Sequence, residues 1–103
     1  MNNFSGLLGL MVVKARTGTI ADIDFIMSFL NDSTDFAMTR YVDFSLSMVT
    51  SVEGLERIKY FLFNGNQVQR NYASLYLNRL GEYKSVAEAY KRGLIDYVQA
   101  FAR

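Results

Sequence analysis

Residues 55–80, LERIKYFLFNGNQVQRNYASLYLNRL, read as one helical hairpin. Leu55, Ile58, Phe61 and Leu62 share a face at helical spacing, with Phe63 near the end of the run. Asn64-Gly65-Asn66 is the corner. Gly65 fits the left-handed position that follows a helix, where a side chain costs energy, and Asn66 is an N-cap for what comes next. Val68, Tyr72 and Leu75, with Tyr76 and Leu80 on an adjacent row, give the second helix its apolar face, and Gly81 ends it. The flanking segments are looser copies of the same pattern, and no strand alternation competes with it. The fold expected is all-α.

Moving toward the N-terminus, Thr50 and Glu53 stand as a capping box for the first of these helices, and Glu53 and Arg57 are spaced as an i, i+4 ion pair. Residues 36–49 carry Met38, Tyr41, Val42, Ser45, Met48 and Val49 at helical spacing. Asn31 to Asp35 is a cluster of turn and cap formers. Before it, Ile23, Ile26, Phe29 and Leu30 form an apolar stripe, with Thr19 as cap and Asp22 and Asp24 set against the positive end of the helix dipole. Arg16-Thr17-Gly18 is a break. The opening run, Phe4 to Ala15, puts Phe4, Leu7, Leu8, Met11 and Ala15 on one helical face and spreads Leu10, Val12 and Val13 around it, although Gly6 and Gly9 weaken its first turns. No positive charge precedes Lys14, as a secretory signal requires, and the run is far short of the roughly 20 residues that span a bilayer.

Toward the C-terminus, Ser85 and Glu88 form a second capping box, and Glu88 and Arg92 a second i, i+4 pair. Lys91 and Arg92 suit a final turn, Gly93 stops it, and Asp96 caps a closing helix over 97–103.

Composition narrows the function. In 103 residues there is no Cys, no His and no Pro, with 11 basic side chains against 10 acidic. The length suits a single domain, residues 1–103. Lacking His and Cys, the chain has neither the commonest general base and metal ligand nor a thiol nucleophile, and no phosphate-binding loop or Ser-Lys motif is present. No enzyme activity, cofactor or metal is expected. A cysteine-free chain fits a reducing, cytoplasmic setting.

A period near 30 residues runs through the chain. Ile23, Ile26, Phe29 and Leu30 match Leu55, Ile58, Phe61 and Leu62 at an offset of 32; Arg40 matches Arg70 at 30; Gly65 matches Gly93 at 28; Val68-Gln69 matches Val98-Gln99 at 30. Two helices per period is the pattern of an α-solenoid. With its polar corners and an early arginine in the second helix of a pair, the chain from about Thr19 onward resembles a run of HEAT-like repeats, although Asn66 stands where such repeats usually have aspartate. The resemblance implies a short right-handed superhelix of about three helix pairs serving as a protein-interaction module. A tetratricopeptide-like array, on the run Ala87-Glu88-Ala89-Tyr90 with Gly93, and a plain helical bundle are the other architectures compatible with the pattern.

In HEAT-like solenoids the second helices line the partner-binding surface, which points here to Arg70, Asn71, Tyr72, Tyr76, Arg79 and Tyr83. Arg and Tyr are also types enriched at binding hot spots. Core completion by Tyr72 and Tyr76 is the competing reading. A homodimer or a stable protein partner is expected, because a short solenoid exposes apolar surface at its ends. Nucleic-acid binding around Arg70 and Arg79 is the alternative, since residues 51–103 hold eight basic and five acidic side chains. Tyr76, Tyr83, Tyr90 and Tyr97 recur every seven residues, but Gly81 and Gly93 interrupt any helix that would align them, and the spacing reads as coincidence.

Overall fold

The computed structural model describes residues 6–103. Phe4 lies outside the described residues. These are folded as α1 (Gly6–Thr17), α2 (Ile20–Met27), α3 (Phe36–Leu46), α4 (Val52–Asn64), α5 (Gln67–Leu80), α6 (Tyr83–Lys91) and α7 (Tyr97–Phe101), with no strand among them. The chain divides into two compact units, Met1–Arg57 and Ile58–Arg103, the division falling inside α4.

Polar side chains set the helix starts. Thr19 and Asp22 form a reciprocal box, each accepting the other's backbone N–H, at 3.2 and 3.0 Å. Asn66 and Gln69 do the same for α5, at 2.8 and 2.9 Å. Asp35 caps α3 through the Met38 N–H, and Asp96 caps α7 through the Gln99 N–H. The first residues of α2, α4 and α6 are 20, 52 and 83, and those of α3, α5 and α7 are 36, 67 and 97, intervals of 30 to 32 residues.

In the first unit α1 packs against both α2 and α3, which also touch each other. Met11 and Ala15 of α1 are fully buried, as are Ile23, Ile26 and Met27 of α2 and Val42 of α3, and Leu30 and Leu46 are nearly so. Leu10 and Val13 turn outward, so α1 is one-sided despite its composition. Four hydrogen bonds from three side chains then tie the start of α2 to the start of α4. Ser51 Oγ donates to the Gly18 carbonyl at 2.7 Å, the Ile20 N–H donates to Glu53 at 2.8 Å, and Arg57 forks onto Asp24 at 2.7 and 3.1 Å. Each spans 33 residues, so α2 and this part of α4 run parallel and in register. At the head of the ladder Gly18 holds φ at +64°, and a Cβ there would collide with the Ser51 hydroxyl.

In the second unit α5 packs against α6 and α7, which also touch each other. Ile58, Leu62, Ala73, Leu77 and Ala89 are fully buried, with Val86 and Ile95 nearly so. Arg70 bonds to Leu94, Ser74 to Gln99 and Asn78 to Ala102, so partner numbers rise together and α5 and α7 are parallel.

Several local expectations are corrected. Ser51 caps α4, accepting the Gly54 N–H at 3.0 Å, where Thr50 was expected; Glu53 instead reaches the Ile20 N–H. Arg57 is engaged by Asp24, whose carboxylate therefore does more than face a helix dipole. Gly65 is not left-handed; positive φ occurs at Gly6, Gly18, Gly81 and Gly93. What Gly65 supplies is space, since a Cβ would lie 2.7 Å from the Phe61 carbonyl and 2.8 Å from Gln69 Cβ. Helix α6 begins at Tyr83 with Glu82 as its cap, one turn earlier than the Ser85–Glu88 box implied, and α7 is five residues long. On α5 the buried row is Ala73, Tyr76 and Leu77, while Leu80 is 55% exposed. The buried face of α5 is turned from the expected one: Ala73, Ser74, Tyr76, Leu77 and Asn78 face inward, while Val68, Tyr72 and Leu75 are half-buried.

Two caps titrate below the usual carboxylate range. The Thr19 backbone N–H and hydroxyl, helped by Lys14, lower Asp22 against an opposing effect of burial. Ser85, chiefly through its hydroxyl, lowers Glu82, with burial opposing and its backbone N–H, Lys59 and Lys84 assisting. A carboxylate lowered on folding stabilises fully above its unfolded pKa, and that stability is lost as pH falls through the folded value. Asp22→Asn is expected to cost about 1.5–3 kcal/mol at neutral pH, the worth of hydrogen bonds to a charged group. Urea unfolding across pH should show this gap narrowing as pH falls below the ordinary aspartate value of about 3.9 and closing as it passes through the lowered folded value. A gap independent of pH would contradict the assignment.

Candidate functional site

The six residues expected at a partner surface fall into five settings. Arg70 is a clamp: its guanidinium donates to the Leu94 carbonyl at 2.7 Å, the Gly65 carbonyl at 2.7 Å and Gln67 Oε1 at 2.8 Å. Asn71 accepts from Gln67 at 2.9 Å, and with Tyr72, Leu75, Gln99 and Ala102 it lines a small cleft of about 270 Å³. Tyr76 is 8% exposed, and burial pushes its hydroxyl pKa up. Arg79 is exposed at the end of α5. Tyr83 belongs elsewhere, on the outer side of α6.

The face around Tyr83 is the most distinctive surface of the second unit. Tyr83 and Tyr90 stand two turns apart on α6 and share a stripe. Gly93, at φ +76°, ends the helix, and Asp96 starts α7 so that its first residue, Tyr97, meets Tyr90 edge to face at 6.4 Å between ring centres. Phe101 follows one turn later, 5.0 Å from Tyr97. Tyr83, Tyr90, Tyr97 and Phe101 are 49, 44, 67 and 63% exposed. The seven-residue spacing set aside as coincidence therefore does bring three tyrosines to one face; the glycine that interrupts the helix is what folds the third back onto the second. Tyr76 alone of the series turns inward.

Between α6 and α7 this face opens into a groove of about 310 Å³, floored by Val86, Ala87 and Ala100 and walled by Tyr83, Tyr90 and Phe101. Asn78 is buried at its base. Its Nδ2 donates to the Ala100 carbonyl at 3.0 Å and the Ala102 carbonyl at 2.9 Å, which fixes the end of α7. Asn78 had no signature in the sequence beyond being polar on a helix whose apolar face was read one row away. The guanidinium of Arg103 sits 4.8 Å from the centre of the Tyr83 ring.

Lys84 and Lys91, both exposed, line the stripe of α6 beside the tyrosines. The three acids of this unit are engaged locally: Glu82 with Ser85 and Lys59, Glu88 with Arg92, and Asp96 with the Gln99 N–H. Residues 58–103 hold seven basic and three acidic side chains, a net +4, whereas residues 1–57 hold four and seven, a net −3. An overall charge of +1 conceals this division.

Among the described residues no three His, Cys, Asp or Glu side chains are grouped to hold a metal ion, and no helix is long and apolar enough to cross a membrane. A scan of known protein families, a search of curated proteins and a search of solved structures each gave no match to this chain. The arrangement sets aromatic surface, an apolar groove and flanking cations side by side.

If Arg70 is a clamp, Arg70→Met is expected to destabilise the protein by about 2–3 kcal/mol, because a charge-assisted network is lost and carbonyls are left bare. Lys84→Ala, on the exposed stripe of α6, should change stability by no more than about 0.5 kcal/mol. Urea unfolding of both variants checks the contrast.

Proposed function

We propose that this chain is a non-catalytic protein-interaction module that holds its partner on the aromatic face of α6 and α7. The observation that carries the reading is the exposure of Tyr83, Tyr90 and Phe101 around an apolar groove, with exposed Tyr97 packed between Tyr90 and Phe101. Large aromatic rings left together in water mark a docking surface more often than an ordinary one, and tyrosine supplies contact area at low entropic cost. The absence of His and Cys from the sequence favours binding over catalysis. The same reading puts the module in the cytoplasm, where a cysteine-free chain is at home.

The architecture we infer is a short, right-handed, HEAT-like stack of three helix pairs, α2–α3, α4–α5 and α6–α7, with α1 ahead of them. Its support is the recurrence of helix starts every 30 to 32 residues, and the caps at Asp35, Asn66 and Asp96 that recur with them. Helices of like position also run parallel, α2 with the start of α4 and α5 with α7. Stacked repeats have this neighbour-to-neighbour order.

Nucleic-acid binding is the second reading, favoured by the net +4 of residues 58–103. With the guanidinium of Arg70 committed to backbone carbonyls, it would rest on Arg79, Lys84 and Lys91. Affinity capture from native lysate, with and without nuclease, compares the two. Protein recovered under both conditions, and lost with Tyr97→Ala/Phe101→Ala, is the expected outcome. Capture that survives the double variant would remove the aromatic face from the account, and recovery abolished by nuclease would favour nucleic acid.

A further inference from the structure

The first unit carries a surface complementary to the aromatic groove. Phe36, the first residue of α3, is 76% exposed. It stands at the end of a loop that presents Asp32 and Asp35 to solvent. That loop is held by its own bonds: the Asn31 N–H donates to Thr34 Oγ at 2.8 Å, the Ser33 N–H to Asn31 Oδ1 at 2.8 Å, and Thr34 Oγ to the Phe29 carbonyl at 2.5 Å. Asp35 caps α3 directly beneath. Arg40 lies 5.8 Å from the Phe36 ring centre, so one cation accompanies the two acids. The result is an apolar knob in an acidic collar, pre-ordered and needing little entropy to dock.

We propose that the occupant of the α6/α7 groove is a second copy of this chain, which seats Phe36 there. This rests on the reading of that face as a protein-docking surface. Charge decides the partner surface: pairing two α6/α7 faces like with like would set Lys84, Lys91 and Arg103 against their own copies. The acidic collar of Phe36 meets those cations favourably, in line with net charges of −3 on residues 1–57 and +4 on residues 58–103. A groove of about 310 Å³ admits one phenyl ring with room for its neighbours. Knob and groove are different patches, so the contact either closes reciprocally in a dimer or continues from copy to copy.

The test is sedimentation equilibrium of the full chain over a wide concentration range at low and high salt. Wild type is expected to associate and to dissociate at least about tenfold more readily at high salt, where exposed charges are screened. Phe36→Ser removes the knob, and Tyr97→Ala/Phe101→Ala removes one wall of the groove together with the ring packed on it. All three residues are exposed, and circular dichroism verifies the folds. Each variant alone should sediment as monomer, while an equimolar mixture should yield a 1:1 dimer, because each supplies the surface the other lacks. A wild type that stays monomeric at low salt, variants that still self-associate, or a mixture that stays monomeric would each overturn the proposal. A monomeric wild type whose lysate capture still depends on Tyr97 and Phe101 would sink only the second copy as occupant and leave the docking surface standing.

Discussion

The aromatic face exists because two polar side chains of α5 hold α7 in place. A five-residue helix is too short to persist on propensity, since nucleation costs more than so few backbone bonds return. Here Arg70 anchors the loop ahead of α7 through the Leu94 carbonyl, and Asn78 takes up the carbonyls of Ala100 and Ala102 at its end. With both ends fixed, Tyr97 and Phe101 are held against α6 with their rings outward. The apolar contribution from beneath is small, since of the residues of α7 Ala100 alone is buried. Polar bonds to backbone oxygens therefore do for α7 what a hydrophobic stripe does for the longer helices.

The same economy appears at the other end of the chain. The start of α2 is joined to the start of α4 by a hydroxyl, a carboxylate and a guanidinium, at a constant separation of 33 residues. Such bonds specify register more than they add stability. The bidentate Arg57–Asp24 pair is partly exposed and of modest net worth. Its geometry, together with the crowding that excludes a side chain from Gly18, defines which turn of α4 lies beside which turn of α2.

Helical periodicity and capping chemistry were legible in the sequence. Of the stripe Ile23, Ile26, Phe29 and Leu30, three are buried as the spacing implied and Phe29 is half-buried, and Thr19, Asn66 and Asp96 cap the helices they precede. What one sequence conceals is the partner of a polar side chain. Glu53 and Arg57 are spaced to bond each other, yet each is used 33 residues away, because a tertiary partner fixed by packing outcompetes a solvated local pair. Arg70 carried the right residue type for a binding surface and is committed to backbone carbonyls instead. Tyr83 was singled out, but Tyr90, Tyr97 and Phe101 beside it were not, since their meeting depends on the turn at Gly93. Opposite charges on residues 1–57 and 58–103 were countable from the start, though without a boundary they averaged to near neutrality.

Ring-to-ring nuclear Overhauser effects between Tyr90 and Tyr97, compared in wild type and Asn78→Ala, test the central claim most directly. A strong effect is expected in wild type and its loss in the variant, with α5 and α6 still helical. Persistence of the Tyr90–Tyr97 contact in Asn78→Ala would show that α7 is held by something other than the α5 side chain assigned to it.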